Sequence, residues 1–331
     1  MGRRPYALGA ALLALVVLVG CDHPSQPHRA SPAPVGSTSP ARPAATGLTG
    51  RIAYNTEDGD LWVMNADGSG RHQVTHSGDG NDFDPSWSPD GRRIVFRTSR
   101  GEHLPDTASI GLDGIFVVNA DGSGERAIHP PTGGLFPDWS PDGRWIAFSG
   151  VQPPSDRPDY LFVMRPDGTG VRPVSTALAS ECAEWSPDGS KIAFCGHWGS
   201  ADSDFDVGVM NADGSHVRRL TNAPGHDYPG AWSPDGTQLA FSSDRNGSSE
   251  FWIMNVDGTH QRRLIDTPGA GEAPNAWLPD GRIVISSAKP DQVLPDWYLI
   301  RPDGTHITAL PQLHGAQSPI DWLPCTPRTV C

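Results

Sequence analysis

Five carboxylates stand three to five residues ahead of a tryptophan: Asp82 and Asp84 before Trp87, Glu181 before Trp185, Asp227 before Trp232 and Glu272 before Trp277. Carboxylates gathered round one opening attract a divalent cation, a basic peptide or a positively charged terminus. Spread along a rim, they are solvated and hold nothing. His226 beside Asp227, with His103 and His197, adds imidazoles, which bind metals or move protons near neutral pH; scattered loop histidines usually do neither. Asp60, Asp159, Asp206 and Asp296 recur so regularly that they read as a repeated structural hydrogen bond. Neither a GxSxG nor an HExxH run occurs.

Whether the five acids meet depends on what carries them, and the chain is repetitive. "WSPDG" at 87–91 returns at 139–143, 185–189 and 232–236, then as "WLPDG" at 277–281. With Trp322 included, the tryptophans are 52, 46, 47, 45 and 45 residues apart. A second motif lies between them: "MNADGSG" at 64–70, "VNADGSG" at 118–124, "MRPDGTG" at 164–170, and "MNADGSH", "MNVDGTH" and "IRPDGTH" at 210–216, 254–260 and 300–306. Such a period belongs to propellers and other repeat arrays. Pro at the second position of a type I turn and a left-handed Gly after Asp make both motifs hairpin turns. Apolar β-branched and aromatic runs flank them, giving four strands per unit, a to d, with turns a–b and c–d.

The first unit, from Arg51, has strands b, c and d but no a. The last segment, 318–324, is a strand a with nothing after it. Ring closure resolves both ends, the final strand completing the first blade and removing open sheet edges. Pro85, Pro137, Pro229, Pro274 and Pro319 precede the repeat Trp by two or three residues, as expected of an innermost strand with one free edge. The fold expected is all-β: a six-bladed β-propeller of four-stranded blades over 48–324, ring closed by the C-terminal strand. W-S-P-D-G, then an I-A-F-type strand, then M-N-A-D-G, resembles the WD-like repeat of TolB-like β-propellers over about residues 50–324. Related blades serve binding scaffolds and the propeller domains of prolyl-oligopeptidase-like enzymes, so the resemblance implies architecture and not activity.

Residues 1–20 read as an export signal: Arg3 and Arg4, then an apolar run Ala7–Val19 too short to span a bilayer. Leu18-Val19-Gly20-Cys21 resembles the lipobox of bacterial lipoproteins, which implies lipidation at Cys21 and a lipid anchor on the outer side of the cell membrane. Residues 21–47 are a Pro/Ser/Ala-rich disordered tether, and 325–331 a C-terminal tail. Loss of Arg3 and Arg4 leaves 23 basic against 38 acidic side chains, a net charge of −15, which excludes nucleic acid as a partner. Four cysteines remain in an exported chain. Pairing Trp185 with Ile192 sets Cys182 opposite Cys195, a cross-strand disulfide. Cys325 with Cys331 would tie down the tail; free thiols are the alternative.

The a–b and c–d turns emerge on one face. The other face carries the varied b–c and d–a loops, where recognition is expected. The leading function is a monomeric, non-enzymatic binding or scaffold propeller that meets envelope protein or peptide partners at this loop face and the channel mouth, with no cofactor or resident metal. The alternatives are a lactonase- or esterase-type enzyme with a divalent cation in the channel, and small-molecule or carbohydrate binding aided by Trp198 and Trp297.

Overall fold

The computed structural model describes residues 47–325, except 79, 101–113, 129–132, 152–159, 175–179, 199–203, 266–270 and 290. The hairpin turns set its architecture. In the first W-S-P-D-G, the Gly91 N–H donates to the Ser88 carbonyl (2.8 Å) and Gly91 takes a left-handed φ of 69°. The Ser88 hydroxyl donates to Asp90 (2.6 Å) and accepts the Arg93 N–H (2.9 Å), locking the turn from inside. Ser140, Ser186 and Ser233 repeat this arrangement. In the c–d turns the residue after D-G-S or D-G-T is left-handed too. It is Gly in the first three units but His216, His260 and His306 in the last three, at φ of 55° to 57°. Their imidazoles bond the adjacent Ser215, Thr259 and Thr305 hydroxyls, offsetting some of the cost of that conformation in a residue with a Cβ.

Six four-stranded antiparallel sheets result, arranged as the blades of a ring. Blade 1 joins Arg51–Asn55, Leu61–Asn65 and His72–Gln73 to Asp321–Leu323 as its strand a. The closing register is Arg51↔Leu323, Ile52↔Trp322 and Ala53↔Asp321, so the expected closure is present. The innermost strands of blades 2 to 6 are Asp82–Trp87, Leu135–Trp139, Ser180–Trp185, Asp227–Trp232 and Gly271–Trp277. All five repeated prolines on the a strands line the central channel.

Each repeat Trp fills the interface with the preceding blade. Trp87 packs among Ala53, Leu61 and Val63 of blade 1, Trp139 beside Val95 and Val117 of blade 2, and Trp322 beside Val284 and Leu299 of blade 6. Polar ties run the same way: Arg126, Arg218 and Arg262 donate to the carbonyls of Pro166, Val256 and Pro302 in the next blade's c–d turn.

One register is not the simple one. A bulge lies in strand a of each of blades 2 to 6. In blade 4 Trp185 pairs with Ile192, but Glu181, not Cys182, is the partner of Cys195. The extra residue shifts the count by one and leaves Cys182 at a φ of 56°. Cys182 and Cys195 are free thiols here. Cys325 is disulfide-bonded; Cys331, Cys21, His103 and Asp159 lie outside the described residues.

Candidate functional site

The five acids do not form an open negative mouth. Asp82 is fully buried and takes both ends of the Arg100 guanidinium at 3.1 Å. Asp227 is held by one Arg245 nitrogen, Nη2, which donates to its two oxygens at 3.1 and 3.0 Å, while Arg245 Nε donates to Ser243 (2.7 Å). The two pairs are equivalent positions of blades 2 and 5, each Arg lying just past strand b of its own blade. Asp84 pairs with Arg97 at 2.7 Å. Glu272 is 2% exposed, and its Oε2 accepts the Phe251 N–H at 3.4 Å. Glu181 is half-buried beside Cys195. Three of these acids are ion-paired within their own blades and Glu272 ties blade 6 to blade 5, which neutralises most of the rim charge expected of them.

The recurring aspartates at the start of strand c have structural partners where they are described, but not one repeated hydrogen bond. Asp60 accepts from Gln73 (2.6 Å) and from the Ser77 N–H (2.6 Å), Asp206 pairs with Arg219, and Asp296 accepts from Gln292 (3.2 Å). His226 accepts the Phe205 N–H through Nδ1 (3.2 Å), and His197 lies against the Phe205 ring. Trp297 is a core residue, 3% exposed, whose indole donates to the Ala316 carbonyl, so it offers no surface to a carbohydrate. Trp198 is stacked on Phe194, 6.0 Å between centroids.

The acidity of the channel comes from a position that the motif reading passed over, the residue immediately before the repeat Trp. It is Ser86, Asp138, Glu184, Ala231, Ala276 and Asp321 in successive a strands. Three of the six are carboxylic acids, and all three line the central channel, a cavity of about 140 Å³. Two of them span from blade to blade. Asp321 Oδ2 accepts the Trp87 N–H at 2.6 Å, and Asp138 accepts the Ser86 hydroxyl at 3.0 Å and the Trp185 N–H at 2.9 Å. No salt bridge to Asp138, Glu184 or Asp321 exists among the described residues, unlike Asp82, Asp84 and Asp227.

Enclosure in the ring disfavours their charged forms. Burial, opposed by the Trp185 N–H and reinforced by the Asp321 charge, raises Asp138 to about 7. Burial raises Asp321 to about 6, against the Trp87 N–H that holds it down. Burial and then the Asp138 and Asp321 charges push Glu184 well above the ordinary range. Near neutral pH the trio therefore carries less than its full charge. No group of three His, Cys, Asp or Glu side chains among the described residues is arranged to hold a metal ion; the donors do not converge as a divalent cation requires.

A family model described as the TolB beta propeller domain matches residues 114–319. The chain belongs to the TolB β-propeller family. A Tol-Pal system protein TolB from Rhizorhabdus wittichii is 37% identical over 83 residues, which is 25% of this chain and 17% of that relative. The chain therefore aligns with only a small part of the relative's length. The solved TolB from Acinetobacter baumannii superposes with a TM-score of 0.65 at 18% identity, over 85% of this chain and 69% of that one. An oligogalacturonate lyase in complex with manganese gives 0.53 at 17% identity, over 76% and 74%. At such identities the likeness is one of fold, shared by a TolB and by an enzyme, so the TolB family fold does not specify an activity.

Proposed function

We propose that this propeller is a non-catalytic binding module of the bacterial envelope, tethered through lipid on Cys21, that takes protein or peptide partners at the loop face and presents its channel to their basic groups. The observation that carries this reading is the trio Asp138, Glu184 and Asp321: carboxyl groups without a salt bridge, held in a channel whose other walls include five prolines, Phe136 and Tyr228. Desolvated carboxyls are poor neighbours for each other and good ones for an ammonium or guanidinium, so a cationic ligand gains what their mutual repulsion costs. The TolB family membership supports an envelope role, since the relatives are named as Tol-Pal system proteins. The Asp82, Asp84 and Asp227 ion pairs then serve to hold the mouth rigid around this trio.

The test is crosslinking in intact cells with a photoreactive residue at Phe136, which lines the channel, followed by the same experiment on Asp138→Asn with Glu184→Gln. Recovery of a defined partner that is lost in the double variant supports the reading. A partner recovered equally well with both carboxyls removed refutes the role of the channel.

A further inference from the structure

Cys182 and Cys195 are not a simple cross-strand pair. The bulge turns Cys182 into the left-handed region and onto the channel wall, where it is half-buried. Cys195 lies behind it with no exposed surface, packed with Phe205 and Tyr228, and its thiol donates to Cys182. Cys182 therefore lines the cavity, while Cys195 packs behind it with no exposed surface. The carboxyl groups of Glu181, Glu184 and Asp84 act electrostatically on Cys182, but Asp84 is paired with Arg97 and burial keeps Glu184 from ionising readily. The charge a reagent meets at pH 8 comes from Asp138 and Asp321, which line the same channel without a salt bridge and favour a cation.

We propose that Cys182 and Cys195 form a redox-exchangeable dithiol entered from the channel, whose co-reactant is a small, positively charged disulfide. The Cys182 thiolate attacks one sulfur of that disulfide; the S–S bond breaks, one thiolate leaves and takes up a proton, and a mixed disulfide remains on Cys182. Cys195 then gives up its proton and attacks the Cys182 sulfur, forming the Cys182–Cys195 bond and releasing the second thiol. The protein loses two hydrogens and the small disulfide gains them. The Cys195 donor lowers the Cys182 pKa, but burial and the three carboxyl groups outweigh it and hold the thiol above its ordinary value. Burial holds Cys195 well above. Exchange is therefore slow at neutral pH and quickens as pH rises toward 9, as thiolate accumulates. This chemistry is independent of partner binding.

The test uses full-length protein, reduced and freed of reductant, then mixed at pH 8 with cystamine, which is cationic, or with dithiodipropionate, an anion of similar length. Non-reducing peptide mapping reads each cysteine separately. Wild type is expected to close Cys182–Cys195 at least about fivefold faster with cystamine, an electrostatic preference that shrinks in high salt. Cys195→Ser is expected to stop at an adduct on Cys182. Cys182→Ser is expected to leave Cys195 unmodified until urea is added. Modification of Cys195 in Cys182→Ser as fast as of Cys182 in Cys195→Ser overturns the order of attack. Equal wild-type rates with the two disulfides overturn the charge preference. Wild-type cysteines that react only in urea overturn the proposal outright, and this arm needs no variant to fold.

Discussion

Replacing Asp321 by Asn should make the protein more stable at neutral pH, although Asp321 forms the clasp that closes the ring. Its carboxyl has a folded-state pKa of about 6 against 3.8 in a solvated chain. A carboxyl whose pKa is raised by folding binds more protons folded than unfolded. Its favourable contribution is therefore largest in acid and is lost as pH rises from about 4 through 6. A shift of about two units at about 1.4 kcal/mol each puts the penalty of the charged form near 3 kcal/mol. Asp321 keeps some solvent exposure, so about 2 kcal/mol is the expected gain on removing the charge. Asn keeps an oxygen that can accept the Trp87 N–H now bound at 2.6 Å, so the clasp survives. Part of the gain arrives through Asp138, whose carboxyl is also raised by the Asp321 charge. Urea unfolding at pH 4, 6 and 7.5 measures this: D321N should match wild type at pH 4 and exceed it by about 2 kcal/mol at pH 7.5. D321A, which leaves the Trp87 N–H without its acceptor, should fall below D321N at every pH by about 1–3 kcal/mol. A D321N protein no more stable than wild type at pH 7.5, or one with the same gain at pH 4, would show that the carboxyl is well solvated and that its raised pKa is wrong.

Three further outcomes are expected. Mass spectrometry of the mature N-terminus should find Cys21 as the first residue, carrying acyl chains; an unmodified Cys21 or cleavage elsewhere ends the proposed anchorage. Replacing Trp322 by Ala should lower stability by about 3–5 kcal/mol, and removing 318–331 should unfold the whole ring and promote aggregation, read as the thermal midpoint and as particle size; an unchanged midpoint in the truncated chain refutes cooperative closure. Non-reducing peptide mapping should find Cys325 joined to Cys331, and any other partner for Cys325 contradicts the proposed tail loop.

The blade count, the turns and the closure were legible because each rests on local chemistry repeated at one period. Pro-Asp-Gly specifies a hairpin wherever it stands, and a strand missing at one end with a surplus at the other points to a ring. The site was less legible. A bulge leaves no mark in a run such as "SECAEW", and one extra residue moved Cys182 out of register with Cys195. Asp82 and Asp227 read as exposed acids because Arg100 and Arg245, which pair with them, lie 18 residues downstream in each case. Asp138, Glu184 and Asp321 carried a usable signal: in aligned repeats they replace the Ser and Ala found at the same position. That signal appears only when the blades are compared column by column, because the meaning of the position comes from the ring.

Ring closure also puts both ends of the propeller on one face. Strand b of blade 1 starts at Arg51, and the Arg51 guanidinium donates to the carbonyl of Gly91 in the first a–b turn at 2.9 Å. The chain therefore enters the propeller on the face of uniform Asp-Gly turns. Strand a of the same blade, running antiparallel, delivers Leu323 and Cys325 to that face too. With Cys21 acylated as proposed, the leash attaches to the turn face, and the channel mouth at the loop face points away from the lipid. A flexible chain as long as the proposed 21–47 tether would have a root-mean-square reach of roughly 30 Å, comparable to the width of a small domain. A partner rising from the same membrane would have to pass the rim of the ring to reach the channel, whereas one approaching from the opposite side meets it directly. Anchorage would thus select partners by direction of approach before any side chain makes contact.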